Sequence, residues 1–374
     1  MLQYGRLFDC EQIEEEEEVI YVKPSPEWAN HILADDVMTE EGVLLLPKGH
    51  KLSLDDIQSI LERGLDLMGI EERSNTYEFC IYINHLKKID PEFYEFYGET
   101  LSSVERMFQL TENREAIDQE VLFETFDELV EHLMLSPQIL IQLRTIKNMD
   151  QYTIQHSLNV GIMSAMLARL LELEHDEIIR IGHAGLLHDI GKAMISPEIL
   201  QKPSQLDDEE YNRMKKHTKL GYDILLKNQI KDDAILAATL LHHERLNGSG
   251  YPLRKKEGQI PFAAQIVAVA DVYDAISAER TYKPSMSPFH AYQELYDLAF
   301  RKELNPNIVM SFLEFVTKSM VGKKVILNDH SIATVLIAFP NEPNRPLVRI
   351  GDQYIDLRKN RNLFIQEMFI ETGN

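Results

Sequence analysis

The sequence predicts a mainly α protein: an all-helical bundle with a small α/β unit at its N-terminal end and a small β appendage at its C-terminal end. Three observations predict this. Between about 148 and 320, apolar residues recur at helical spacing in segment after segment. Beyond 320 the pattern changes to short β-rich runs separated by Asn-Asp, Pro and Gly turns. Before 75, a short apolar run bounded by glycines precedes a single amphipathic helix. The expected division is therefore an N-terminal regulatory or structural unit at 1–75, a helical connector at 76–147, a catalytic domain at 148–320 and a β-rich appendage at 321–374.

Within the first unit, Glu14 to Glu18 is an acidic run that reads as a solvated segment. Gly42-Val-Leu-Leu-Leu-Pro-Lys-Gly49 reads as a short strand or strand pair. Ser53 then starts a helix with Asp56 in the capping-box position and Ile57, Ile60 and Leu61 on one face, and Gly64 ends it. In the connector, Phe123, Phe126, Leu129, Val130, Leu133 and Met134 form an apolar stripe, and Ser136-Pro137 reads as the start of another helix. The aromatics Phe93, Tyr94, Phe96 and Tyr97 read as core or dimer packing. In the appendage, Lys324–Leu327, Ala333–Ile337, Leu347–Ile350 and Tyr354–Leu357 predict three or four strands.

Composition narrows the function. The 374 residues are 44% apolar and 26% charged, enough for a sizeable core and unlike a disordered or membrane composition. No run of 18 apolar residues and no basic-then-apolar leader occurs, so neither membrane insertion nor a signal peptide is expected. Cys10 and Cys80 are too few for a disulfide framework, and a cytoplasmic location follows. A net charge of −23 repels DNA and RNA polymers and anionic membranes. A small phosphate anion would need local cations to overcome that field, and Lys192, Arg280 and Lys283 are the candidates.

The chemistry centres on His183-Ala-Gly-Leu-Leu-His188-Asp189-Ile-Gly191-Lys192, read as a helix end with Gly191 as a left-handed stop. Upstream lies His156; downstream lie His217, the pair His242-His243 and Asp271. Five imidazoles and two carboxylates exceed what one metal can use, and they fit two divalent ions sharing a carboxylate. Asp189 is the natural bridge, with His156, His188 and Asp271 on one ion and His217, His242 and His243 on the other. These nitrogen and oxygen ligands suit Fe or Mn, and also Zn, Ni or Co. His183 reads as a packed or supporting group, and His175 as an exposed turn residue.

The block His242-His-Glu-Arg-Leu-Asn-Gly248-Ser-Gly250-Tyr251-Pro252 resembles the signature of the HD-GYP family, cyclic di-GMP phosphodiesterases within the HD superfamily of metal-dependent phosphohydrolases. Tyr152 to His156, His188 to Lys192, Lys216-His217 with Gly221-Tyr222, and Ala270-Asp271 with Asp274, Glu279-Arg280 and Lys283 match in the same order. The resemblance covers about 148–300 and implies an HD-type all-helical catalytic bundle. It implies that the seven residues named above hold metal, that Lys192 contacts the scissile phosphate, that Tyr251 lies near a guanine base, and that Arg280 and Lys283 hold the nucleotide. It implies hydrolysis of cyclic di-GMP to linear pGpG, with a second cut to GMP in some relatives, by attack of a metal-bridging hydroxide. A homodimer and a regulatory protein partner at the N-terminal unit are the partners it suggests. Gly248 and Gly250 are expected to let the loop approach the ligand. Asn247 stands where the family usually has aspartate, and Tyr152 where some members have a glutamate for a third metal, so two ions are expected. Two other readings compete: a phosphodiesterase for another cyclic dinucleotide such as cyclic GMP-AMP, and a non-catalytic cyclic di-GMP receptor.

Overall fold

The computed structural model describes residues 18–72, 87, 90–134, 152–277 and 288–368, apart from 25–27, 29–30, 40–43, 51, 66, 88–89, 201, 203, 330, 340 and 343. Most of the Glu14 to Glu18 run, the helix start at Ser136-Pro137, Arg280 and Lys283 lie outside the described residues. The chain divides into two compact units, Met1–Pro91 and Glu92–Asn374.

In the first unit, β1 (Glu18–Val22) pairs antiparallel with β4 (Met68–Glu72), and β2 (Val37–Met38) with β3 (Leu44–Leu46). Between the pairs runs α1 (Leu54–Glu62). The Ser53 side chain accepts from the Asp56 amide and the Asp56 carboxylate accepts from the Ser53 amide, a reciprocal cap for donors the first turn leaves unpaired. Ile57 and Ile60 turn inward onto Leu33, Leu52, Met68 and Ile70, giving the unit its own apolar core.

Among its described residues, the second unit is helical as far as residue 319. Its helices are α2 (Pro91–Glu112), α3 (Gln119–Met134), α4 (Tyr152–Leu170), α5 (His175–Leu187), α6 (Pro197–Leu200), α7 (Asp208–Met214), α8 (His217–Lys227), α9 (Asp233–Leu241), α10 (Phe262–Ser277), α11 (Pro288–Phe300) and α12 (Pro306–Ser319). A 3₁₀ turn, Ile190–Met194, follows α5. Helix α4 is buried on every face from Gln155 to Ala168 and sits at the centre, packed on α5, α10 and α12. Side-chain caps fix several starts: Asp207 for α7, Asp232 for α9, and Asn305 followed by Pro306 for α12. The α2 aromatics divide by position: Phe93 and Tyr97 are buried, and Tyr94 and Phe96 are half-buried.

The C-terminal sheet is antiparallel with the order β8-β7-β6-β5-β9, built from β5 (Lys324–Leu327), β6 (Ile332–Ile337), β7 (Leu347–Ile350), β8 (Gln353–Asp356) and β9 (Ile365–Met368). Alternation buries Val325 and Leu327 of β5 and Ala333 and Val335 of β6. The sheet has five strands, not the three or four expected. The extra strand, Ile-Gln-Glu-Met, lacks a β-rich composition and is ordered by long-range pairing, with Leu327 opposite Ile365.

Candidate metal centre

Five helices deliver the predicted ligands to one point. His156 lies in the first turns of α4, His188 follows the last residue of α5, and Asp189 comes next at the start of the 3₁₀ turn. His217 opens α8, His242 and His243 follow α9, and Asp271 lies within α10. Gly191 does not take the left-handed backbone expected of a helix stop. It is required for close approach instead: a Cβ there would lie 1.9 Å from the His217 carbonyl oxygen and 2.5 Å from the Gly221 amide nitrogen. The 3₁₀ turn thus presses directly on the start of α8, which sets Asp189 beside His217.

The ligand atoms form two sets. In one, a ligand atom from each of Asp189, His217, His242 and His243 lies within 4.8 Å of the others; His156, His188 and Asp271 make the second set by the same measure. Asp189 joins them. Its Oδ2 lies 3.4 Å from His156 Nε2 and 3.2 Å from His188 Nε2, while its Oδ1 lies 3.2 Å from His217 Nε2 and 3.8 Å from His242 Nε2. Asp271 also faces both sets, with Oδ1 3.2 Å from His156 Nε2 and Oδ2 3.8 Å from His243 Nδ1.

The outer ring nitrogens explain why four imidazoles present Nε2 inward. His188 Nδ1 lies 2.6 Å from the Gly185 carbonyl, His217 Nδ1 2.8 Å from that of Met214, and His242 Nδ1 2.9 Å from that of Ala238. A carbonyl only accepts, so each Nδ1 carries the proton and each Nε2 keeps its lone pair. His156 Nδ1 is held by a carboxylate, Asp274 Oδ2, at 2.7 Å. Asp274 belongs to the site although the sequence assigns it no role; its position three residues after Asp271 on one helix was the available signal.

Protonation agrees with this arrangement. Burial pushes His242 down to about 3 and lowers His217, and desolvation together with His242 holds His243 well below the ordinary histidine value. Burial opposes the charge on Asp189 and Asp271. For Asp189 the neighbouring His188 and Lys192 outweigh it, and for Asp271 His156 and His243 do, so both carboxylates stay ionised. His188 Nε2 and Asp189 Oδ1 are buried without a hydrogen-bond partner. The lowered imidazoles of His217, His242 and His243, the ionised carboxylates and the orphaned inward polar atoms are a donor set that divalent cations satisfy, and they fit such ions here.

Of the remaining predicted site residues, Lys192 and Tyr251 lie beside this cluster. Lys192 Nζ donates to Asp189 Oδ2. The Tyr251 ring stacks on His243 at 4.6 Å between centroids, and burial raises its phenol pKa. Glu244, 2% exposed, ties down the Tyr251 loop: its Oε1 accepts from the Leu253 amide at 2.6 Å and its Oε2 from the Lys255 amide at 2.9 Å. Asn247 keeps the expected turn by accepting from the Ser249 amide at 3.0 Å. Gly250 serves the backbone more than a ligand, because a Cβ there would meet the His243 carbonyl oxygen at 2.4 Å. His183 faces away, with Nε2 2.6 Å from Asp127 Oδ1 and its ring stacked on Phe123. Tyr152 begins α4, and its side chain is not among those described.

Comparison with known proteins gives this geometry its context. A profile of the HD domain family matches residues 131–308. A cyclic di-GMP phosphodiesterase of Pseudomonas aeruginosa is 33% identical over 235 residues, 63% of this chain and 56% of the relative. A 3′3′-cGAMP-specific phosphodiesterase of Vibrio cholerae is 30% identical over 270 residues, 70% of this chain and 49% of the relative. The chain thus spans about half the length of these curated relatives. Among solved structures, a HDG"Y"P protein from Bdellovibrio bacteriovorus superposes with a TM-score of 0.50 at 18% identity, over 79% of this chain and 98% of that one, a likeness of fold alone. Fold and site define a helical domain with a metal-binding His/Asp cluster. Residues 131–308 are thus similar to the HD domain family.

Proposed function

We propose that this chain is a metal-dependent phosphodiesterase that opens cyclic di-GMP to linear pGpG, with GMP as the product of a second cut. The observation that carries the reading is Asp189, whose two oxygens face two separate imidazole sets 3.2 to 3.8 Å away. Two ions, Fe or Mn before Zn, Ni or Co, would be held there by His156, His188, Asp189, His217, His242, His243 and Asp271; when bound they supply a water nucleophile at neutral pH and offset phosphate charge. Hydrolysis forms one P–O bond in line with the departing 3′ oxygen, breaks P–O3′ and delivers a proton to that oxygen. Lys192, beside Asp189, offsets charge on the equatorial oxygens. Tyr251 lends a stacking face to a guanine, and Arg280 and Lys283 hold the nucleotide.

The same reading makes 1–75 a regulatory or structural unit with a protein partner, 76–147 a connector, and the chain a cytoplasmic homodimer. Among the described residues no helix is long and apolar enough to cross a membrane. The Vibrio cholerae likeness favours cyclic GMP-AMP as the second substrate reading. Anaerobic purification with metal analysis, then product assay on cyclic di-GMP and cyclic GMP-AMP, tests the proposal. Asp189→Ala is expected to lose both ions and all hydrolysis, and Lys192→Ala to keep metal but turn over more slowly. Normal turnover by Asp189→Ala overturns the proposal; binding of cyclic di-GMP without hydrolysis by the metal-loaded wild type makes the chain a receptor.

A further inference from the structure

Beyond the His/Asp cluster lies an aromatic array that metal binding does not explain. Tyr251 rests on His243, and Tyr211 of α7 meets Tyr251 edge to face, 6.5 Å between centroids and 78° between planes. The Lys215 ammonium sits 4.7 Å from the Tyr211 centroid and 5.9 Å from that of Tyr251. Three rings thus lead from the cluster toward the surface, with a cation beside the outer two. Tyr211 is 48% exposed, so packing does not account for its place. Arg213 and Lys202 in the same segment are paired with Glu209 and Glu210, whereas Lys215 makes no ion pair among the described residues. Position is held tightly: the Lys215 amide donates to the Tyr211 carbonyl at 3.0 Å, and two residues later His217 enters the cluster.

A cyclic dinucleotide has two bases and two phosphates. One phosphate at the cluster and one base on Tyr251 leave the second base and the uncut phosphate in need of a surface. We infer that Tyr211 and Lys215 form that second wall, Tyr211 stacking the other purine and Lys215 pairing with the uncut phosphate. The inference rests on the proposed phosphodiesterase reading. A stacking ring suits any purine, and a lysine in a chain of net charge −23 supplies local attraction for an anion.

The test uses the full chain loaded with Mn, titrated calorimetrically with the hydrolysis-resistant phosphorothioate of cyclic di-GMP, alongside a turnover assay on cyclic di-GMP itself. Tyr211→Ala is expected to weaken binding about tenfold with metal content unchanged, and Tyr211→Trp, which keeps a stacking face, to bind within about twofold of the wild type. Lys215→Gln is expected to weaken binding several-fold and to flatten its dependence on salt. Wild-type affinity in Tyr211→Ala overturns the inference, as does equal weakening by Ala and Trp, which would mean that the ring only supports the fold. Tight binding that depends on Tyr211, without any turnover, upholds the wall and sinks the hydrolytic reading. No binding by the wild type overturns both.

Discussion

His156 Nδ1 and Asp274 Oδ2 lie 2.7 Å apart, both side chains buried and 118 residues apart in sequence. The carboxylate fixes the ring so that Nε2 points at Asp189 and Asp271. Asp274 is held in turn by Asn159 Nδ2 at 3.3 Å, and Asn159 Oδ1 accepts from the Tyr97 hydroxyl at 3.4 Å. Groups that orient a metal-binding imidazole carry roughly 10- to 100-fold in metal affinity. Asp274→Ala should therefore weaken metal binding by about that factor, read by competition with a chelator, and Asp274→Asn by less because the amide oxygen still accepts. Unchanged affinity in Asp274→Ala would show that His156 needs no orienting partner.

Gly191→Ala should damage both fold and site. Its new Cβ, 1.9 Å from the His217 carbonyl oxygen, meets backbone that cannot rotate away. Overpacking of this kind costs about 1–3 kcal/mol, and here the displaced residue is a proposed metal ligand. A lowered Tm and substoichiometric metal are expected together. A variant with wild-type Tm and full metal would mean that the turn and α8 separate freely.

Glu244 acts through the loop it ties. Glu244→Gln leaves one acceptor where two amides, those of Leu253 and Lys255, now donate. The expected result is faster amide hydrogen exchange at Leu253 and Lys255 and a raised KM, with metal content intact. Slow exchange at both amides in the variant would count against this role.

Stability of the metal-free chain should fall on acidification. His242 drops to about 3 in the folded state, and His217 and His243 are lowered as well, while the unfolded chain titrates near 6.5. Below pH 6.5 the unfolded state therefore binds protons that the folded state refuses, so unfolding gains ground as pH falls toward the folded values. Asp189 and Asp271, held ionised below the usual carboxylate range, add a further loss once pH drops below about 4. Urea denaturation of chelator-treated protein at pH 7, 6 and 5 checks this. Stability that is flat or rises over that range would contradict it.

The sequence alone determined the helical class, the capping box at Ser53 and Asp56, and the seven residues that gather at the cluster. Each of these is written either in local periodicity or in a short motif whose residue types have few other uses. The tertiary structure decided the rest. It decided that Gly191 answers to a neighbouring carbonyl and not to its own backbone angle, and that Ile365–Met368 becomes a fifth strand. It also decided that Asp274, Glu244, Tyr211 and Lys215 surround the cluster. Where the contact joins distant segments, as between Gly191 and His217, Leu327 and Ile365, or Asp274 and His156, it is set by how the elements pack, and no spacing along the chain records that distance.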